Sequence, residues 1–353
     1  MSGLLRKHLV RDFRLERGAV LPEAETAYIT LGTLAPDGLN AVLITHGYTT
    51  GPSMLFSGSC AAEGSWSELV GPGKPIDTDR YFVVCANALG SAYGSTGPRS
   101  TNPRTGLAYG GQFPEITMAD IVILQKHLMD DLGVRRLAAV AGPSMGGFQA
   151  FEWSVRYPSF VERCVAAVSS PFNPAVAGGA EQVRQRLAED PAWADGRYVD
   201  TPGSMVDSLT AMRVSTLTHY GLDADLKATM PAAEDRDAHI RELAREWAEE
   251  FDAGSLVTLM AACENFDVRD RLSHMTARLL IVISRTDGFF SPALAKEVAP
   301  AFDAAGLRWS YVELDSEKGH IASGADAHLW AEELRRFMQE PPSEPQTISQ
   351  LEL

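Results

Sequence analysis

Five apolar runs set the reading frame of this chain: Ala41 to Thr45, Tyr81 to Ala86, Leu137 to Ala141, Cys164 to Val168 and Arg278 to Ser284. Each is five to seven residues long, almost free of polar interruption and bounded by turn residues. That pattern predicts strands buried on both faces. A sixth strand is predicted from Trp309 to Leu314, and Leu9 to Thr33 reads as two antiparallel edge strands around the Arg17-Gly18 turn. Helical periodicity fills the intervals. Thr117 and Asp120 form a T-x-x-D cap, after which Ile121, Leu124, Leu128 and Leu132 recur at helical spacing. Phe148, Phe151 and Val155 lie on one face of the next helix, as core. Alternation of buried strands with amphipathic helices predicts an α/β fold with a mostly parallel central sheet.

The pattern changes between residues 171 and 272. Stretches such as Glu181 to Ala188 and Asp237 to Phe251 are helical, charged and alanine-rich, and no strand is predicted there. We therefore divide the chain into a first core part, residues 1–170, a helical lid insertion, 171–272, and a second core part, 273–340. The charged runs Glu234 to Asp237 and Arg241 to Glu250 are expected to be solvated faces of the insertion. Residues 341–353 are polar and proline-bearing and are expected to form a flexible tail.

Composition narrows the function. The 353 residues are 45% hydrophobic, ample for one large domain with an insert, and the net charge of -15 argues against a nucleic-acid partner. The chain lacks a run of about 18 apolar residues, and its start has no signal-peptide core, so no membrane association and a cytoplasmic location are expected. Cys60, Cys85, Cys164 and Cys263 are scattered without ligand spacing and read as free thiols, mostly buried. No metal, flavin or nicotinamide cofactor is implied. Gly94 to Gly97 lacks the lysine and spacing of a phosphate loop and reads as a supporting turn.

The chemistry begins at Gly142-Pro-Ser144-Met-Gly146-Gly, a G-x-S-x-G directly after a predicted buried strand. A serine hydroxyl becomes a nucleophile when a sharp strand-to-helix turn holds it out and a neighbouring base takes its proton. The partners follow in the order that arrangement requires. Asp287 lies on the loop after the Arg278 to Ser284 strand and is the candidate acid. His320 lies on the loop after the last strand and is the candidate base. The Met145 backbone N–H is the candidate oxyanion donor from the serine turn. The second donor is assigned to the backbone N–H of Tyr48, in Thr45-His-Gly-Tyr-Thr-Thr-Gly51, on the loop after the first buried strand. His46 reads as a brace for that loop, and His328, on an expected terminal helix, competes only weakly with His320. His127, His219 and His274 belong to no recognised motif.

Along nearly its whole length the chain resembles the homoserine O-acetyltransferase family of α/β hydrolases. The resemblance rests on Leu69 to Val83, Asn87 to Gly90, Gly94 to Pro98, Phe113 to Asp120 and Gly142 to Gly147. It implies an α/β-hydrolase fold, a ping-pong route through an acetyl-serine on Ser144, and a homodimer through the lid. It also implies that Arg213 resembles the lid arginine that holds the homoserine carboxylate in relatives, against which stands an ordinary structural ion pair. Two departures bear on the reaction. Relatives generally continue the catalytic Gly-His with an aspartate that receives the substrate amine, where this chain has Ile321. Their oxyanion loop usually reads alanine-leucine-threonine-glycine, where this chain has Gly-Tyr-Thr-Thr-Gly. A buried ammonium without a counter-charge costs several kcal/mol. The expectation is therefore a serine esterase that hydrolyses acetate esters of small alcohols. The alternative is an acetyl-CoA-dependent O-acetyltransferase acting on homoserine or another hydroxyl acceptor.

Overall fold

The computed structural model describes residues 5–58, 65–175 and 177–340. Cys60 and the tail from 341 to 353 lie outside them. Eight strands form one sheet: β1 (Arg6–Arg14), β2 (Val20–Leu31), β3 (Ala41–Thr45), β4 (Phe82–Ala86), β5 (Leu137–Pro143), β6 (Arg163–Ala167), β7 (Arg278–Ser284) and β8 (Trp309–Leu314). Their order across the sheet is β1-β2-β4-β3-β5-β6-β7-β8. β1 pairs antiparallel with β2 and β2 antiparallel with β4, whereas every pairing from β4 to β8 is parallel. β2 is thus an inner strand, and of the two strands expected at the edge only β1 lies there.

The uninterrupted apolar composition of the parallel strands follows from burial on both faces. Along β3, Ala41 and Leu43 face one core while Val42 and Ile44 face the other; along β7, Leu279, Ile281 and Ile283 alternate with Leu280 and Val282 in the same way. The first core is completed by α1 (Met118–Asp131), α2 (Met145–Arg156) and α8 (Pro292–Ala304), and the second by α10 (Ala331–Gln339) with Trp66 and Trp330. Burial of each large aliphatic side chain contributes about 1.5–3 kcal/mol. The cap read at Thr117 is a full capping box, its hydroxyl accepting from the Asp120 N–H and the Asp120 carboxylate from the Thr117 N–H. Such a cap stabilises a helix by about 1 kcal/mol.

Between β6 and β7 the chain leaves the sheet and forms α3 (Gly179–Ala188), α4 (Val206–Tyr220), α5 (Leu222–Leu226), α6 (Ala233–Glu250) and α7 (Ala253–Glu264). These helices carry small cores of their own, one around Trp193, Trp247 and Phe251 and another around Leu217, Ile240 and Ala244. The one strand-like feature described among them is an isolated bridge between Phe172 and Asp267. After β8 come a short turn at Gly319–Ile321 and α9 (Ala322–Ala325). His328 sits in the turn Ala327–Leu329 that precedes α10, so it is not on the terminal helix. Among the described residues no helix is long and apolar enough to cross a membrane.

Candidate active site

Because β3, β5, β6, β7 and β8 run parallel, the loops after β3, β5, β7 and β8 lie along the same edge of the sheet. Ser144 closes β5 and opens α2 with φ 55° and ψ −122°, a conformation that a residue with a side chain adopts only when its surroundings enforce it. The enforcement is visible. The Ser144 N–H donates to the Ala167 carbonyl at 2.9 Å, and the Ser169 hydroxyl donates to the Ser144 carbonyl at 2.8 Å. Gly142 and Gly146 are needed because any Cβ there would run into the Thr45 backbone and side chain, and a Cβ on Gly147 would collide with Ser169. Thr45 draws the turn in further, donating to the Gly146 carbonyl at 2.7 Å. Ser144 is 7% exposed.

Asp287 and His320 meet as the chain order requires. His320 Nδ1 is 2.9 Å from Asp287 Oδ2, and both side chains are buried. The other carboxylate oxygen, Oδ1, accepts from the N–H groups of Phe289 at 2.8 Å and Phe290 at 3.1 Å. With Oδ1 occupied by donors, Oδ2 is the oxygen that orients the imidazole. The two loops are also tied to each other. The Thr286 hydroxyl donates to the Ser316 carbonyl at 2.9 Å and accepts from the Gly319 N–H at 3.1 Å. Three aromatic rings surround the imidazole: Tyr220 edge-to-face at 4.6 Å between centroids, Phe289 edge-to-face at 5.4 Å, and Phe290 stacked at 5.7 Å. They limit its tilt and exclude water from its flanks.

The loop after β3 carries the second predicted oxyanion donor. His46 is fully buried and braces it: Nε2 accepts from the Ala88 N–H at 2.9 Å, which leaves Nδ1 to donate to the Gly47 carbonyl at 2.8 Å. Burial lowers its pKa to about 4, so it stays neutral at physiological pH and keeps this tautomer. The Gln149 amide further holds the His46 carbonyl at 3.1 Å. Met145, the first residue of α2, has a first-turn N–H without an intrahelical acceptor, as an oxyanion donor needs. Tyr48 presents its backbone from the braced loop, and its hydroxyl donates to the Leu256 carbonyl of α7 at 2.6 Å. Burial raises that phenol above its ordinary pKa, which keeps it a donor.

The helices between β6 and β7 grip this same loop. Arg213 on α4 is 1% exposed, donates to the Thr49 hydroxyl at 2.6 Å, and lies 4.6 Å from the Trp247 ring centre. Trp247 on α6 donates its indole N–H to the Thr49 carbonyl at 2.9 Å. Arg213 is thus placed at the site's edge with its guanidinium engaged by the oxyanion loop. Ile321, the residue after His320, is 2% exposed and lines a cavity of about 910 Å³ with Thr50, Leu217, Leu222 and Trp247. Asp225, Glu246 and Glu250 border the same cavity.

Thr286 and the aromatic rings around His320 escaped the sequence reading, and Thr49 was read only as part of the oxyanion loop. Thr286 directly precedes Asp287 and could have been suspected from that position; nothing in the sequence places Tyr220 or Trp247 at the site, because their approach depends on how the inserted helices fold back. His127 packs beside Phe13 and His219 near Phe289, both outside the hydrogen bonds of the Asp287–His320 pair. The buried cysteines among the described residues are Cys85, Cys164 and Cys263.

Comparison with known proteins places this geometry in context. Residues 40–324 match the family model described as alpha/beta hydrolase fold. The chain is 36% identical to the homoserine O-acetyltransferase of Rhodopseudomonas palustris strain HaA2, covering 93% of this chain and 88% of that one. It is also 36% identical to the homoserine O-acetyltransferase of Symbiobacterium thermophilum, covering 94% and 92%. Among solved structures, the homoserine O-acetyltransferase from Bacillus anthracis superposes with a TM-score of 0.85 at 26% identity, over 96% of this chain and 98% of that one. The esterase E22 superposes with a TM-score of 0.82 at 25% identity, over 95% and 99%.

Proposed function

The chain belongs to the homoserine O-acetyltransferase family of α/β hydrolases, and from that membership we propose that it is an acetyl-CoA-dependent O-acetyltransferase acting on homoserine or another hydroxyl acceptor. The expectation of an acetylesterase is corrected. Several relatives matched over most of their length are homoserine O-acetyltransferases, and the Bacillus anthracis enzyme of that name superposes over 96% of this chain. The expectation gave Ile321 too much weight. Hydrolysis and transfer use the same serine, acid, base and oxyanion donors and differ only in which hydroxyl accepts the acyl group. One side chain beside the base is a poor discriminator between two reactions that share all of that machinery.

The Asp287–His320 pair at 2.9 Å is the observation that carries the chemical part of this reading. In the proposed cycle His320 Nε2 takes the proton from Ser144 as Oγ attacks the acetyl carbonyl of the thioester. Asp287 holds the imidazole and stabilises the imidazolium, while the Met145 and Tyr48 N–H groups stabilise the oxyanion. Collapse of the tetrahedral intermediate breaks the C–S bond, the thiol leaves with the proton from His320, and Ser144 is acetylated. The acceptor hydroxyl then gives its proton to His320 and attacks the acetyl-serine, and the returning proton frees Ser144. The inserted helices act as a lid in this reading, because Arg213 and Trp247 fix Thr49 of the oxyanion loop.

Intact-protein mass spectrometry tests the covalent step. Incubation with acetyl-CoA alone should add one acetyl group at Ser144, addition of homoserine or another competent alcohol should remove it, and Ser144→Ala should carry none. A wild-type protein that never gains the acetyl group refutes the reading.

A further inference from the structure

Lys318 lies two residues before His320 and is absorbed by none of the chemistry above, yet it joins the base-bearing loop to the inserted helices. Its ammonium lies 2.9 Å from Asp225 Oδ1 on α5 and 2.7 Å from Asp326 Oδ1 just past α9, and it donates to the Ala325 carbonyl at 3.2 Å. Asp326 is fixed in turn by the Ser316 hydroxyl, which donates to its other oxygen at 2.6 Å and accepts from the Lys318 N–H at 3.0 Å. One ammonium therefore closes the base-bearing loop on itself and ties it to the inserted helices.

The backbone meets at the same point. Gly221, between α4 and α5, has φ +100°, and a Cβ there would overlap the Lys318 carbonyl and sit 3.3 Å from the Gly319 nitrogen. The corner of the insert is thus seated directly on the peptide unit leading to the base. Asp225 and Leu222 on one side of this junction, and Ile321, Gly324 and Ala325 on the other, border the same cavity of about 910 Å³. The side chains of Lys318, Asp225 and Asp326 are 27%, 31% and 12% exposed, so the charges are partly screened and their worth lies in geometry more than in stability.

We propose that Lys318 is a positioning residue, a latch that holds the His320 loop in register with the inserted helices through Asp225 and Asp326. It touches neither substrate nor Ser144; it sets where the imidazole stands. This inference rests on the proposed roles of Ser144 and His320. A displacement of about 1 Å in a catalytic group costs up to about 100-fold in rate, so loss of the latch should be visible in acylation.

The test is the pre-steady-state acylation of Ser144 by p-nitrophenyl acetate, which needs no knowledge of the acceptor, on wild type, Lys318→Met, Lys318→Arg, Asp225→Asn and the Lys318→Met/Asp225→Asn double variant. Circular dichroism and melting midpoints on the same samples check that each is folded. Lys318→Met is expected to acylate about 10-fold more slowly or worse, Lys318→Arg to recover most of the rate, and the double variant to be no slower than Lys318→Met, because both remove one interaction. A folded Lys318→Met acylating within twofold of wild type, or losses that multiply in the double variant, would overturn the latch. Should Lys318→Met not fold, the same twofold limit applied to Asp225→Asn decides between a latch and none. Ser144→Ala is run alongside: acylation persisting there would refute the site assignment and the latch with it, whereas its absence with an unaffected Lys318→Met refutes the latch alone.

Discussion

Replacing Asp287 by asparagine changes one atom and should disable the base by reversing a tautomer. In the native site Oδ1 accepts two backbone N–H groups, from Phe289 and Phe290, and Oδ2 faces His320 Nδ1. An amide must choose. If its oxygen stays with the two N–H donors, its NH₂ points at Nδ1, which must then become an acceptor; the proton moves to Nε2, the nitrogen required to take the Ser144 proton. If the amide flips to keep Nδ1–H as donor, its NH₂ confronts two buried N–H groups. Each unsatisfied buried donor costs about 1–3 kcal/mol, so the productive arrangement lies about 2–6 kcal/mol above the unproductive one. At about 1.4 kcal/mol per tenfold, acylation should fall by about 30-fold to about 10⁴-fold. The assay is burst release of p-nitrophenolate, with the melting midpoint recorded beside it. Because tautomer choice in the neutral imidazole does not depend on pH, the deficit should persist from pH 7 to 9. A folded Asp287→Asn protein acylating within threefold of wild type would refute the reasoning and remove Asp287 from its role.

Further expectations follow from other parts of the structure. Ile321→Asp places a carboxylate on the cavity wall beside His320 and should lower the KM for homoserine, read from homoserine-dependent thiol release; an unchanged KM would mean that the ammonium is recognised elsewhere. Gly146→Ala forces a Cβ into the Thr45 backbone and should destabilise the fold by about 1–3 kcal/mol, seen as a lower denaturation midpoint; an unshifted midpoint would contradict the close approach. His46, with its pKa lowered to about 4 by burial, stays neutral while the unfolded chain takes up a proton below about pH 6.5. Native stability should therefore fall as pH drops from 6.5 towards 4, by about 3 kcal/mol in total. A folded His46→Gln variant should lose that share of the pH dependence in urea titrations; matching slopes would show that His46 is not its source.

Where the sequence was legible, the reason was burial on two faces. Strands β3, β5 and β7 must be apolar throughout because helices cover both sides, so their runs stand out, and the loops that follow them carry Tyr48, Ser144 and Asp287 within a few residues. The serine turn was readable for a related reason: Gly142, Gly146 and Gly147 mark places where no side chain fits. The partners of the oxyanion loop were not readable. Arg213 and Trp247 lie 164 and 198 positions from Thr49, and only the folding of α4 and α6 back onto the loop after β3 brings them there. The expectation of ester hydrolysis failed for a different reason. It let the single residue after His320 decide between two reactions that share serine, acid, base and oxyanion donors, whereas the relatives that overturn it match along most of the chain.

The most direct test of the central claim follows free-thiol release from acetyl-CoA with and without homoserine, with the product identified by mass. The account predicts thiol release that depends on Ser144, rises severalfold with homoserine or another hydroxyl acceptor, and yields the O-acetyl product in equal amount. Thiol release indifferent to every alcohol tried, with free acetate as the sole product, would contradict it.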